Sequence, residues 1–254
     1  MPRTYSTEAV VLGSHKLGDA DRVVTLFTRD QGKTPTVVKG VRKIKSRFGG
    51  RLEPFTVLAV QLHEGRSLHT LTSADTIMTH ASLRDNPASL RAGLAFVDML
   101  GRATTDAERQ PRTFNLLINY LDVMEKLNSK MTGAAPGAST EGQALISTTL
   151  GAELKLLLLT GFLPHLANCA SCGAADYLPR FSAQAGGALC KNCGSESFVV
   201  SGEALEAMRR LLEKPLTESS SSTLTMEASD EVWSCIREIC RYHLGVDLRV
   251  KPWQ

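Results

Sequence analysis

The sequence predicts an α+β protein of more than one domain, in which a small N-terminal β-barrel precedes a helical domain with an inserted four-cysteine module. Short runs rich in Val, Thr and Leu, separated by turn residues, fill the first eighty residues. Apolar residues recur at helical spacing from about residue 82 onward. Because 254 residues suffice for two modest domains, we place these at 1–80 and 81–254, with the module at about 167–196.

Five runs in the first eighty residues predict strands. They are TEAVVLGS (7–14), DRVVTLFTR (21–29), KTPTVVKG (33–40), EPFTVLAVQLHEG (53–65) and SLHTLTSADTIM (67–78). No helix long enough to connect parallel strands lies among them, so we expect a small antiparallel barrel. A five-stranded barrel of the oligonucleotide/oligosaccharide-binding (OB) type is the natural candidate, and an SH3-like barrel fits the pattern nearly as well.

The first helices of the second part begin with recognisable signals. Asn86 is a predicted N-cap, and Pro87 suits the first helical position. A second amphipathic helix is predicted over 111–127, and a Gly/Ala/Ser/Pro-rich loop follows at 129–142. The helix that begins near Gly142 is apolar nearly all round, which is typical of a buried central helix.

Two more helices are predicted near the C-terminal end of the sequence. Ser201 is the expected N-cap of one, which Pro215 ends, and a polar linker follows at 217–224. The last helix is expected to run from about Ser229, with Gly245 as its stop signal.

Positive charge is concentrated in the predicted barrel. The formal net charge is only +3, but residues 1–80 hold twelve Lys and Arg against seven Asp and Glu, and the remaining residues hold seventeen against nineteen. Such asymmetry favours a polyanionic partner for the first domain. Between 39 and 51 there are six cations and no acid: Lys39, Arg42, Lys43, Lys45, Arg47 and Arg51.

This basic segment, residues 39–51, has two interpretations on composition alone. It is either a phosphate-binding arm or a solvated loop between two strands. Uninterrupted charge of one sign repels itself unless a polyanion is present, which favours the first interpretation. Phe48 lies among the cations, either to stack on an unpaired base or to cover the end of the barrel.

The cysteines provide the most specific motif. Four of the six form two C-x2-C pairs with seventeen residues between the pairs: Cys169, Cys172, Cys190 and Cys193. This is the spacing of a four-thiolate zinc site. Each pair is followed by a glycine, Gly173 or Gly194, which we expect to let the backbone turn around the ion. Four thiolates close the coordination shell, so one structural Zn²⁺ per chain is predicted and a catalytic zinc is not. Cys235 and Cys240 are expected to be ordinary buried cysteines.

Several classes of protein are not indicated. The N-terminus lacks the apolar core of a signal peptide, and the most apolar segment, 154–164, is too short to span a bilayer. We therefore expect a cytoplasmic protein without a membrane partner. Gly32-Lys33-Thr34 imitates the end of a phosphate-binding loop, but the required first glycine is Phe27. No catalytic motif is present, so neither an enzyme nor a small-molecule substrate is predicted.

The N-terminal motifs resemble a known family. The stretch EAVVLGSHKLGDADRVVTLFTRDQGKTPTVVKGVRKIKSRFGGRLEPF (8–55) is similar to the opening of bacterial recombination mediator proteins of the RecO family. The LGDADR loop, the FTRDQGK turn, the VKGVRKIKSR segment and the LEPF strand start match that pattern in order and spacing. The helical region and the cysteine insertion resemble the layout of the family.

The resemblance implies an OB-type barrel, a helical domain with a structural zinc module, and a function in recombinational DNA repair in the cytoplasm, at the nucleoid. The implied activities are binding of single- and double-stranded DNA, annealing of complementary strands, and assistance to the recombinase on strands coated by single-strand-binding protein. The implied protein partners are the mediator partner RecR and the acidic C-terminal tail of single-strand-binding protein. The basic DNA-binding surface of the family carries over onto Lys39, Arg42, Lys43, Lys45, Arg47 and Arg51, with Arg22 and Lys33 as additions.

Two other functions remain open on the sequence. One is a zinc-containing protein-interaction adaptor, in which the basic segment is irrelevant to DNA. The other is an RNA-binding barrel protein of translation or decay.

Overall fold

The computed structural model describes residues 4–41, 46, 48–130, 140–175, 177–195, 197–221, 224–248 and 251–253. The chain divides into two compact units, Met1–Glu125 and Lys126–Gln254. The boundary predicted at residue 80 marks the end of the strands and stays a prediction. Among the residues described, no helix is both long enough and apolar enough to cross a membrane.

The five predicted strands are confirmed. They are β1 (Thr4–Leu17), β2 (Asp21–Thr28), β3 (Gly32–Val38), β4 (Val57–His63) and β5 (His69–Met78). They close into a barrel in the order β1-β2-β3-β5-β4. β1 is long because it pairs with two neighbours, with β4 over its first half and with β2 over its second half. A register shift between Val11 and Gly13 interrupts the pairing of β1 with β2, as a β-bulge does.

The prediction that the barrel is antiparallel throughout is wrong at one seam. β3 and β5 pair in parallel, with Thr36 opposite His69 and Val37 opposite Thr70. No helix is needed to connect them because β4 intervenes along the chain and pairs antiparallel with β5. A five-stranded barrel with this strand order is consistent with the OB type.

The barrel interior is apolar, and residues outside the strands help to fill it. Val24, Leu26, Leu58 and Leu62 alternate toward the core along their strands. Phe48, which is 4% exposed, joins them from the β3–β4 connection. Of its two expected roles, covering the barrel interior is therefore supported, and stacking on a base is wrong.

Three helices complete the first unit: α1 (Ala81–Asp85), α2 (Pro87–Ala103) and α3 (Pro111–Asn128), whose last three residues belong to the second unit. The predicted cap is confirmed, since Asn86 Oδ1 accepts hydrogen bonds from the backbone N–H groups of Ala88 (2.9 Å) and Ser89 (3.2 Å). α2 packs against the buried ring of Phe55 at Gly93, where a β-carbon would lie 2.6 Å from that ring.

The second unit is built around one buried helix. Its helices are α4 (Thr140–Leu159), α5 (Gly202–Glu213), α6 (Leu216–Ser219) and α7 (Met226–Leu244). Fourteen of the twenty residues of α4 are buried, and it contacts the other three helices, which confirms that it is the central helix.

The ends of the remaining helices agree with the sequence in part. Ser201 caps α5 as predicted, since its Oγ accepts a hydrogen bond from Ala204 N. Gly245 ends α7 with a φ of 65°. However, α7 begins at Met226 with Thr225 as its N-cap, earlier than expected. The predicted polar linker at 217–224 overlaps α6. Ser219 of this helix is buried against Gly151, where a β-carbon would lie 3.1 Å from its hydroxyl.

Candidate functional site

The basic segment, residues 39–51, is anchored where it leaves the barrel. Lys39 is exposed directly after β3. The next residue, Gly40, has a φ of 64°, a conformation that favours glycine. Its N–H donates a 2.7 Å hydrogen bond to Asp21 Oδ1 at the start of β2. The sequence LGDADR thus supplies the carboxylate that holds the beginning of the basic segment.

The other end of the segment is anchored as well. A short 3-10 turn, Gly49–Leu52, follows Phe48, and both Phe48 and Leu52 are buried in the barrel core. The guanidinium of the exposed Arg51 donates a 2.9 Å hydrogen bond to the backbone carbonyl of Ala74 on β5. The cations between these anchors, Arg42, Lys43, Lys45 and Arg47, lie outside the residues that the structure describes.

Arg22 lies beside the beginning of the basic segment. It is opposite Val38 in the β2–β3 register and opposite Lys16 in the β1–β2 register. Directly opposite side chains lie on one face of a sheet, roughly 5 Å apart at Cβ. Lys16 is exposed and adds a positive charge beside Arg22. Sequence reasoning missed Lys16, although the short KLGDADR turn indicates that it pairs with Arg22.

Lys33 is separate from this surface. It lies at the opposite end of β3, where its Nζ donates a 2.7 Å hydrogen bond to the Gly101 carbonyl and lies 3.0 Å from Asp106 Oδ1. Its side chain is 20% exposed. Because its charge is already compensated within the first unit, the geometry gives Lys33 a structural contact.

The four predicted metal ligands do come together. The sulfur atoms of Cys169, Cys172, Cys190 and Cys193 all lie within 4.8 Å of one another. Cys172 Sγ and Cys190 Sγ are 3.8 Å apart. A tetrahedral ion with Zn–S bonds of about 2.3 Å requires sulfur separations of about 3.8 Å. The cluster therefore has the dimensions that a four-thiolate zinc site needs.

A small sheet carries the cysteines. Its strands are β6 (Arg180–Ser182), β7 (Gly187–Leu189) and β8 (Phe198–Val199), in the order β7-β6-β8. The first C-x2-C pair precedes β6, and the second lies between β7 and β8. At the first pair, Gly173 has a φ of 75° and its N–H donates a 2.8 Å hydrogen bond to the Cys169 carbonyl. Gly173 thus turns the backbone as predicted.

Gly194 has a different role from the one predicted. It does not adopt the left-handed conformation. Instead, a β-carbon at this position would lie 2.5 Å from Cδ of Arg180 and 2.8 Å from Oγ of Ser197. Gly194 is therefore required by the close approach of neighbouring side chains, a non-local contact that the sequence does not reveal.

Electrostatics favour a cation at the cluster. The backbone N–H groups of Cys190 and Cys172 donate to the sulfur of Cys169 and lower its pKa to about 6. Hydrogen bonds with Cys190 and Cys172 raise the pKa of Cys193 to about 12. Four thiolates this close repel one another, so all four ionise together only around a positive ion. The donor set is soft and entirely sulfur, which suits Zn²⁺.

The cysteine module is fixed to the helices of the second unit. Arg209 of α5 donates to the carbonyl of Leu166 through Nε (3.2 Å) and through Nη2. The backbone of His165 pairs with β7 through hydrogen bonds to Gly186 and Ala188. Cys235 and Cys240 are buried in α7 outside the cluster, as expected. These contacts connect the module to α5 and hold the chain before the first cysteine pair against β7.

Comparison with known proteins identifies the class. Residues 1–80 match the family model described as Recombination protein O N terminal, and residues 139–252 match Recombination protein O C terminal. DNA repair protein RecO of Rubrobacter xylanophilus is 34% identical over 246 residues, 94% of this chain and 90% of the relative. DNA repair protein RecO of Myxococcus xanthus is 32% identical over 250 residues, 96% of this chain and 94% of the relative. The Nocardioides protein of the same name is 39% identical over 195 residues, 74% of each chain.

An N-terminal five-stranded barrel, a helical second part and these matches define a recombination mediator of DNA repair. The chain belongs to the RecO family.

Proposed function

We propose that this protein binds single- and double-stranded DNA largely without sequence specificity, anneals complementary strands, and assists recombinase loading on strands coated by single-strand-binding protein. The observation that carries the proposal is the anchoring of the basic segment at both ends, through Gly40 to Asp21 and through Arg51 to Ala74. Anchoring fixes the two described ends of the segment on the barrel, and in this proposal the cations of the segment act together on a phosphate backbone.

The phosphate-binding surface in this proposal consists of the basic segment together with its neighbours on β1 and β2. Its members are Lys16, Arg22, Lys39, Arg42, Lys43, Lys45, Arg47 and Arg51. Contacts of this kind position a strand but read no base, so binding depends weakly on sequence and steeply on salt. Annealing requires no bond chemistry, because cations screen the repulsion between two strands and leave the base edges free to pair.

The zinc module has a structural role in this proposal. Cys169, Cys172, Cys190 and Cys193 hold one Zn²⁺ per chain, which braces the inserted sheet against α5 and α7. Family membership supports RecR and the C-terminal tail of single-strand-binding protein as partners, and a cytoplasmic location at the nucleoid. Size-exclusion chromatography with RecR, and fluorescence anisotropy with a labelled tail peptide, test the two partners.

The decisive experiment reverses three charges within the basic segment. In Lys43→Glu/Lys45→Glu/Arg47→Glu, we expect weaker binding of single-stranded oligonucleotides across a salt series. Each lost phosphate contact lowers the slope of log K against log salt by about 0.7, so the slope falls by about 2. Annealing of complementary strands, measured on the same sample, slows in parallel.

A matched control has the same change of charge elsewhere on the first unit. Arg66, Arg91 and Arg112 are exposed and lie outside the proposed surface, so Arg66→Glu/Arg91→Glu/Arg112→Glu should leave most of the salt slope intact. Equal losses in both triple variants would show a general charge effect and contradict the site. Stronger binding to RNA than to DNA would favour an RNA-binding barrel, and no binding to either would favour the adaptor.

A further inference from the structure

A polar cavity lies within the second unit, between the cysteine module and α7. Its volume is about 360 Å³. Its lining includes none of the four clustered cysteines and no residue of the basic segment. Its lining residues are Ser197, Phe198, Ser234, Arg237, Glu238 and Arg241.

The two arginines that line this cavity differ in whether the guanidinium group is already bound to a carboxylate. Arg237 is engaged, since its Nε and Nη2 each lie 2.9 Å from Asp247 Oδ1. Arg241 lies one helical turn further along α7, is exposed, and has the Glu238 carboxyl nearby, but it makes no hydrogen bond with another described residue. A guanidinium in this state presents a fork of N–H donors that matches two oxygens of a phosphate.

Phe198 gives the cavity an aromatic wall. It belongs to β8 and pairs with Phe181 of β6, and the two ring centroids are 5.7 Å apart at 48°. Because Phe181 is fully buried, this contact holds the Phe198 ring in place while Phe198 remains only partly buried. A fixed, accessible aromatic face binds an unpaired base by stacking.

Hydrogen-bonding groups complete the lining. One carboxylate oxygen of Glu238, Oε2, is buried and has no partner among the described residues. Burial raises the pKa of this carboxyl, although the Ala183 N–H and the nearby Arg241 charge oppose the shift. Ser234 Oγ donates to the Asp230 carbonyl, so its lone pairs can accept a further bond. Such groups suit the edge of a nucleobase.

We propose that this cavity binds one nucleotide of single-stranded DNA, with the phosphate on Arg241, the base against Phe198 and the base edge at Glu238. The proposal rests on the DNA binding proposed above and adds a second contact surface in the other unit. The volume is near the lower end of the range of about 300 to 1,000 Å³ for small-ligand sites, which suits a single nucleotide. An acidic peptide is less favoured, because its carboxylates would leave the aromatic face of Phe198 without a stacking partner.

Two substitutions separate the contribution of the phosphate contact to DNA binding from that of base stacking. Arg241→Gln removes one phosphate contact, so it should weaken binding of a fluorescent oligothymidine and lower the salt slope by about 0.7. Phe198→Leu keeps an apolar side chain against Phe181 but removes the stacking face. It should weaken binding at least about fivefold while leaving the salt slope unchanged. Lys130→Gln, an exposed cation of the same unit outside the cavity, is the control and should change neither.

Cross-linking locates the contact independently of affinity. An oligonucleotide containing 5-iodo-deoxyuridine is irradiated with the full-length protein, and the cross-linked peptides are mapped by mass spectrometry. We expect a cross-link at Phe198, lost in Arg241→Gln and kept in Lys130→Gln. Retention of that cross-link in the triple variant of the basic segment would support this cavity even if the barrel surface failed its own test.

Other outcomes would overturn the proposal. One is that no cross-link forms at residues 197–199 and that Arg241→Gln binds DNA as tightly as the parent protein does. The other is that an acidic peptide saturates the cavity and the affinity for DNA does not change. Circular dichroism of each variant confirms that loss of binding does not come from unfolding.

Discussion

The burial of Glu153 predicts that the free energy of unfolding falls as the pH rises. This residue lies in the middle of the buried helix α4, is 1% exposed, and its Oε2 has no hydrogen-bond partner among the described residues. Burial raises the pKa of its carboxyl from 4.5 to about 8. The folded protein therefore keeps a proton on Glu153 at pH values where the unfolded chain has released it.

The direction of the effect follows from this difference. Below pH 4.5 both states are protonated, and Glu153 carries no penalty. As the pH rises toward 8, folding must retain a proton that the unfolded state gives up, so the free energy of unfolding falls. The loss is about 3 kcal/mol at pH 7 and levels off at about 5 kcal/mol above pH 8.

The test is Glu153→Gln, which has nearly the same shape and no ionisable group. Both tryptophans, Trp233 and Trp253, lie in the second unit and are 5% exposed, so tryptophan fluorescence reports the unfolding of that unit. In urea titrations, the stability of Glu153→Gln relative to the parent protein should rise by about 2 to 3 kcal/mol between pH 5 and pH 7. Glu213→Gln, at an exposed position on α5, is the matched control. A stability difference that does not change with pH would refute the reasoning.

Three further predictions concern other parts of the molecule. Gly93→Ala places a β-carbon 2.6 Å from the buried Phe55 ring, so it should destabilise the first unit by about 1 to 3 kcal/mol in thermal unfolding; equal stability would show that the ring can move away. Lys16→Gln should lower the salt slope of single-strand binding. Lys33→Gln loses the bond to the Gly101 carbonyl, so it should destabilise the first unit and leave the salt slope unchanged. A lower slope in Lys33→Gln and an unchanged slope in Lys16→Gln would contradict these two roles. Purified protein should contain one zinc per chain by elemental analysis. Cys172→Ser should lose this zinc, and Cys235→Ser, outside the cluster, should keep it. A parent protein that is prepared without chelator and contains no metal would contradict the site.

Features that depend on neighbours in sequence were predictable. The five strands, the caps at Asn86 and Ser201, the stop at Gly245 and the buried character of α4 all follow from patterns a few residues long. The cysteine spacing belongs to the same category, because each C-x2-C pair makes its own turn and only the meeting of the two pairs is non-local. The N-terminal family match, over residues 1–80, also agrees with the motifs in residues 8–55.

Features that depend on contacts between distant residues were decided by the tertiary structure. The parallel seam between β3 and β5 arises from barrel closure, which local pattern does not encode. Tertiary packing also buries Phe48 in the barrel core and gives Lys33 its partner at the Gly101 carbonyl.

The nucleotide-sized cavity depends on such contacts as well. Phe198 and Arg241 are far apart in sequence and line one cavity only because β8 packs beside α7. Spacing along the chain reveals which residues share a turn or a face, but it does not reveal which faces meet. The sequence therefore predicted the chemistry of the basic segment and of the cysteines. It did not predict which groups each charged side chain contacts.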